Sequence, residues 1–159
     1  MRTIVAVFFC LTASLSAYGQ EARSPQELAA QIQELIELKD TSNIVRLVHS
    51  SADPASVERF KLMLATYIGA TNMQIYPVPK DDKEAVREFL AQSPVPGALK
   101  PLEERVKKYA DNGAFFELTP LGDLVISGKR INIPSSGSTT SVVYGKQDGK
   151  YLVIFAKRR

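Results

Sequence analysis

An α+β fold, with N-terminal helices packed on one twisted antiparallel sheet from the C-terminal half, is the class this sequence predicts. Three observations predict it. Helix-start signals and helically spaced apolar residues crowd into residues 25–90, glycine-separated β-type runs fill residues 113–155, and strands do not alternate with long helices. The chain has 159 residues, 45% of them hydrophobic and 23% charged, which suits one globular domain and excludes collagen-like, coiled-coil and disordered classes.

The chain opens with Arg2, an uncharged and mostly apolar run from Thr3 to Ser16, and small residues at Ala17 and Gly19. That is the pattern of a secretory leader cleaved after Gly19, and the run is too short for a membrane span. The expected organisation is a signal peptide over residues 1–19 and a single α+β domain over 20–159, with no membrane span after cleavage. Cys10, the single cysteine, leaves with the leader. The mature domain is then held by its core alone, and a Cys-rich metal site or a redox pair is excluded.

Ser24-Pro25-Gln26-Glu27 combines a hydroxyl cap, a proline at the first helical position and a glutamate three residues after the cap. With Leu28, Ile32, Leu35 and Ile36 it predicts a helix over 25–39. Asp40-Thr41-Ser42 followed by Ile44, Leu47 and Val48 predicts a short second helix. Asp53-Pro54 starts a third, carried by Val57, Phe60, Leu64 and Tyr67 and stopped by Gly69. Residues 71–78 alternate weakly, and Pro77 and Pro79 confine any strand there to a sheet edge. Asp81-Asp82 opens a fourth helix through Ala85, Val86, Phe89 and Leu90. Residues 93–101, with three prolines and a glycine, read as a rigid connection. Residues 102–110 fit a helix or a strand. Strands are expected at Ala114–Leu118, Leu124–Ile126 and Arg130–Ile133, a flexible loop at Ser135–Ser141, and a terminal hairpin of Ser141–Tyr144 and Tyr151–Phe155 around Asp148-Gly149.

Motifs for chemistry are sparse. His49 is the single imidazole, and it lies at the end of the second expected helix, where the helix dipole already favours a cation. No nucleophile elbow, phosphate-cradling glycine loop or metal-ligand spacing is present, so neither a metal nor a cofactor is expected. Asp81-Asp82 and Glu103-Glu104 are adjacent and diverge on a helix or a strand, so they form no shared-proton dyad. Asp111, Glu117 and Asp123 recur at sixes near expected strand ends, where a sheet could gather them at the mouth of a pocket; with His49 they are the candidate catalytic residues. Phe115, Phe116, Tyr144 and Phe155 concentrate in the β half and are the candidate lining of an apolar ligand pocket. Lys107, Lys108, Lys129 and Arg130, with the Lys157-Arg158-Arg159 tail, are the candidate contacts for an anionic polymer. The net charge of +3 implies no nucleic-acid partner.

Helices followed by a sheet ending in Val142-Val143-Tyr144-Gly145-Lys146-Gln147-Asp148-Gly149-Lys150-Tyr151 is a layout that resembles the cone-shaped cystatin-like, nuclear-transport-factor-like superfamily, which includes exported bacterial proteins of unknown function. The likeness covers residues 25–157 in layout and the terminal hairpin in residue detail. Enzymes of that superfamily use an Asp or an Asp-His arrangement within the cone; this chain matches no such dyad, so the resemblance implies no catalytic residue here.

The expectation is thus an exported, non-enzymatic binding or interaction module of the cell envelope or secreted fraction, a monomer or weak homodimer. Its partner would be a small apolar ligand or an envelope protein. The alternatives are a small-molecule isomerase or hydrolase using a pocket carboxylate, and an envelope protein that binds anionic polymer.

Overall fold

The computed structural model describes residues 19–131 and 138–159; the expected leader, apart from Gly19, lies outside them. Helix α1 (Pro25–Glu37) starts where its cap signals place it. Ser24 Oγ accepts from the Glu27 backbone N–H at 3.1 Å, and the Glu27 carboxylate reaches back to the Arg23 N–H at 2.7 Å. Helix α2 (Pro54–Ala65) is capped by Asp53, whose carboxylate accepts from the Ser56 N–H at 2.9 Å. Helix α3 (Lys83–Ala91) is capped in the same way by Asp82.

Between α1 and α2 the short second helix is a 3₁₀ helix, Thr41–Leu47, and not an α-helix. Its expected cap explains why. Asp40 makes no capping bond and instead accepts from the side chains of Ser42 and Asn43, which leaves a seven-residue segment without the bond that would start an α-turn. Residues 102–110 resolve as helix: α4 (Leu102–Asp111) carries Glu103 and Glu104 in its first turn and Lys108 in its last, each sign matching the helix dipole. Leu102 and Val106 then share one face, which packs on Val143, Ile154, Phe116 and Leu118.

Strands β1 (Thr71–Pro79), β3 (Gly122–Lys129), β4 (Ser138–Gln147) and β5 (Lys150–Ile154) form one antiparallel sheet in the order β1-β3-β4-β5. The short strands β2 (Ala114–Phe115) and β6 (Lys157–Arg158) pair separately. A strand exposes alternate residues to opposite faces, and here both faces are covered. Leu124, Ile126, Val142, Tyr144 and Val153 meet α1, α2 and the 3₁₀ helix through Leu28, Ile32, Leu35, Ile44, Phe60 and Leu64. On the other face Val78 and Val125 meet Phe89 of α3, and Val143 and Ile154 meet Leu102 of α4. Two-sided burial explains why β3 reads as the unbroken run Leu124-Val125-Ile126. Gly122 is required where β3 begins, since a Cβ there would sit 2.5 Å from the Val78 carbonyl oxygen.

Both edges are managed. β1 is an edge strand, as Pro77 and Pro79 require, and its register slips between Thr71 and Gln74. On the far side, Val48 bridges to Val153, the His49 N–H donates to the Val153 carbonyl at 2.9 Å, and the Tyr151 N–H donates to Ala22. Asp148 and Gly149, at φ of 51° and 81°, make the tight turn of the β4–β5 hairpin.

Three β expectations need correction. Of Ala114–Leu118, Ala114 and Phe115 alone are strand, because β6 offers only two partners and the chain then bends at Glu117. The expected strand Arg130–Ile133 does not continue β3, whose last partner is Thr71 at Lys129; Arg130 turns back to Thr66, Ile131 is in a turn, and residues 132 and 133 lie outside the described residues. The expected loop Ser135–Ser141 is strand from Ser138 onward, since Ser138, Thr139, Thr140 and Ser141 pair with Gly128, Ser127, Ile126 and Val125; residues 135–137 lie outside the described residues.

Candidate functional site

The most developed constellation lies on the α3–α4 face. A cleft of about 350 Å³ is walled by Phe89, Ala98, Leu99, Arg105, Lys108, Tyr109 and Ser141. The elements explain its shape: α3 brings Phe89, the proline-rich connection brings Ala98 and Leu99, α4 brings Arg105 and Tyr109, and β4 brings Ser141. Arg105 is its anchored cation. Its Nη2 donates to Asp123 Oδ2 at 2.5 Å and its Nε donates to the Lys100 carbonyl at 3.1 Å.

Asp123 is only 3% exposed, yet it carries a carboxylate. Burial pushes its pKa up, against the opposing pull of Arg105 and of the Ser141 hydroxyl. Its Oδ1 is enclosed and has no hydrogen bond of good geometry. Both polar neighbours of Asp123, Arg105 and Ser141, line the cleft, so the carboxylate lies directly beneath it. The arrangement presents the remaining guanidinium N–H groups of Arg105 over apolar walls, with the ammonium of Lys108 one turn away.

A second constellation joins two of the expected catalytic candidates. His49, 8% exposed, shares a hydrogen bond of 2.7 Å with Ser51 Oγ through Nδ1 and faces Gln147 Oε1 at 3.0 Å through Nε2. The Ser51 backbone N–H also donates to Nδ1, which leaves the Nε2 proton for Gln147. Ser51 also lies within hydrogen-bond reach of Glu117, and Lys157 donates to the same carboxylate at 2.5 Å. These bonds, chiefly the one from Lys157, hold the Glu117 carboxyl below the usual carboxylate range. The single proton of the Ser51 hydroxyl is shared between Nδ1 and the Glu117 carboxylate, one at a time, and the contacts His49–Ser51–Glu117–Lys157 tie the segment before α2 to the last strand.

The other candidates are scattered. Asp111 ends α4 in solvent, Glu117 is paired with Lys157, and Asp123 is buried against Arg105, so the three carboxylates have different surroundings. The four aromatics do not line one cavity either. Tyr144 is 1% exposed in the main core, and burial pushes its phenol up to about 12. Phe155 packs edge-on against Phe60, Phe116 edge-on against Tyr109, and Phe115 lies beside Arg159. Of the basic candidates, Lys107 and Lys108 are on α4, whereas Lys129 and Arg130 lie at the end of β3 opposite Asp123, about 20 Å along the strand. Arg130 is engaged there, bonding Thr66 and stacking over Tyr67. Among the described residues no group of three or more His, Cys, Asp or Glu side chains could hold a metal ion, and no helix is long and apolar enough to cross a membrane.

Sequence reasoning named Asp123 but missed Arg105 and the connection that walls the cleft. The available signal was Arg105 itself, three residues after Leu102 and one before Val106: a guanidinium beside the apolar stripe of a helix needs a buried partner. Compared with protein-family models, with curated proteins and with solved structures, the chain matches none of them.

Proposed function

We propose that this chain is an exported, non-enzymatic binding module of the cell envelope or secreted fraction, and that the cleft between α4, the connection 93–101 and the sheet holds a small amphipathic anion. The observation that carries this reading is the anchored Arg105. Asp123 and the Lys100 carbonyl fix its guanidinium, so a ligand carboxylate meets donors that are already oriented. Phe89, Leu99 and Tyr109 supply the apolar contact for the rest of the molecule, and Lys108 adds a second cation. Asp123 lies beneath Arg105 and is not part of the cleft wall, which favours holding a ligand over the alternative of an isomerase or hydrolase with a pocket carboxylate. The leader-like residues 1–19 and the resemblance to exported cone-fold proteins support the export part of the reading.

The test is thermal unfolding of the purified protein against straight-chain carboxylates and their matched alcohols. A ligand that binds only the folded state, at 100 times its dissociation constant, adds about 2.7 kcal/mol. Carboxylates should raise the melting temperature more than the alcohols, and Leu99→Trp, which fills the cleft without touching the Arg105–Asp123 pair, should abolish the shift. Equal shifts from alcohols and carboxylates, or shifts that survive Leu99→Trp, would contradict the reading.

A further inference from the structure

A second cleft, of about 780 Å³, opens between the first turns of α2 and the β2–β6 ribbon. Four cations line it: Arg59 from α2, and Lys157, Arg158 and Arg159 from the chain end. Its carboxylate, Asp53, is committed to capping α2, where it accepts from both the backbone N–H and the hydroxyl of Ser56. Arg59 then donates to that same hydroxyl at 2.9 Å, so the helix cap also orients the arginine. Lys157 is held by Glu117, and through Glu117 by Ser51 and His49. Arg159 donates its backbone N–H to Gly113 and sets its guanidinium 5.8 Å from the centre of the Phe115 ring. Among the described residues, no carboxylate forms a salt bridge with Arg59, Arg158 or Arg159.

From this geometry we infer that the cleft is a binding site for a multiply charged oxyanion of the phosphate class. Lys157 is paired with Glu117, and the three guanidinium groups that line this concavity still outnumber its one carboxylate, Asp53; planar guanidinium forks match phosphoryl oxygens. The network from His49 to Lys157 acts as positioning machinery, fixing one cation before the anion arrives. The site is separate from the α4 cleft and draws on none of its residues. It also relocates the polyanion reading: Lys129 and Arg130 are not part of this cleft, and Arg59, which no charge run in the sequence marks, is.

The experiment is a calorimetric titration of the protein with inorganic tripolyphosphate, and in parallel its sedimentation with vesicles containing phosphatidylglycerol. Wild type should show one saturable tripolyphosphate site that weakens as salt is raised. Arg59→Ala and Arg158→Ala, both at exposed positions, should each weaken it at least tenfold while leaving the melting temperature unchanged, and Lys129→Ala should have no effect. Vesicle binding lost in the same two variants would assign the anion to a lipid headgroup; vesicle indifference alongside tripolyphosphate binding would assign it to a free anion. Absence of a saturable site, or equal weakening by all three substitutions, would overturn the inference.

Discussion

At the scale of single residues, the Arg105–Asp123 pair dominates. Removing one partner of a buried pair leaves the other charge uncompensated, at a cost of about 3–5 kcal/mol. Arg105 is 27% exposed at its side chain, so Arg105→Met should fall toward the lower end of that range. The sign with pH follows from burial. Asp123 already has a raised folded pKa, and losing Arg105 removes its largest opposing influence, so the pKa rises further. An acid raised in this way costs nothing below its unfolded pKa, near 4, and costs progressively more as pH climbs toward its folded pKa. The stability lost by Arg105→Met, measured by urea unfolding, should therefore be larger at pH 7 than at pH 4, and Asp123→Asn in the same chain should restore most of it. A loss that is constant with pH would show that Asp123 does not sense its cation. Glu117 runs the other way. Its lowered pKa stabilises the fold above about pH 4.5, and that contribution disappears as pH falls through the folded pKa. Glu117→Gln should accordingly differ from wild type at pH 7 and converge with it in acid, a comparison that thermal melts at pH 7 and pH 3 would make. Which residues meet was only partly legible at this scale. Asp123, Glu117 and His49 stand out in the sequence, but their partners Arg105, Ser51, Lys157 and Gln147 come from distant segments that only the folded topology brings together.

At the scale of elements, local chemistry carried furthest where it is strictly local. The starts of α1, α2 and α3 were readable because a cap and its partner N–H lie three residues apart in sequence. Ser24→Ala should cost about 1 kcal/mol, read as a shift in the urea midpoint at constant slope, and Asp53→Ala should lower the midpoint in the same direction. Asp53→Ala should carry a second effect, loosening Arg59 through Ser56, which Ser24→Ala cannot have. The short second helix is present where expected, but as a 3₁₀ helix, because Asp40, an apparent cap, is taken by two neighbouring side chains. The terminal-hairpin strand expected at Ser141–Tyr144 is present within β4, but its first residues are not legible as strand because Ser138-Thr139-Thr140 looks like a flexible linker. Its backbone is held by β3, and threonine suits a pleated surface once a partner strand is present. The ambiguity of residues 102–110 lay in short apolar spacing compatible with both periods. The dipole-matched charges of α4 and the burial of Leu102, worth about 2 kcal/mol, settle it as a helix.

At the scale of the whole molecule, the α+β class and the antiparallel sheet follow from the order of the sequence patterns, and the structure bears them out. What the patterns did not carry is the division of the helices between two faces. α1 and α2 cover one side of the sheet and α3 and α4 the other, and that division creates the cleft over Asp123. Hydrophobic periodicity marks which side of a helix is buried, but not which face of a sheet receives it. The candidate aromatics were conspicuous by composition but are dispersed: Tyr144 and Phe155 belong to the main core, Phe116 to the cluster under α4, and Phe115 lies beside Arg159, whereas the cleft is walled by a proline-rich connection with little apolar signal of its own. The central claim is that this cleft holds a small amphipathic anion against Arg105. Its most direct test is a two-dimensional NMR titration of the protein with octanoate, with 1-octanol as the uncharged control. The account predicts saturable shifts that centre on Leu99, Arg105, Tyr109 and Ser141 and bind octanoate more tightly than octanol. Shifts that centre elsewhere, or that octanol reproduces at equal affinity, would contradict it.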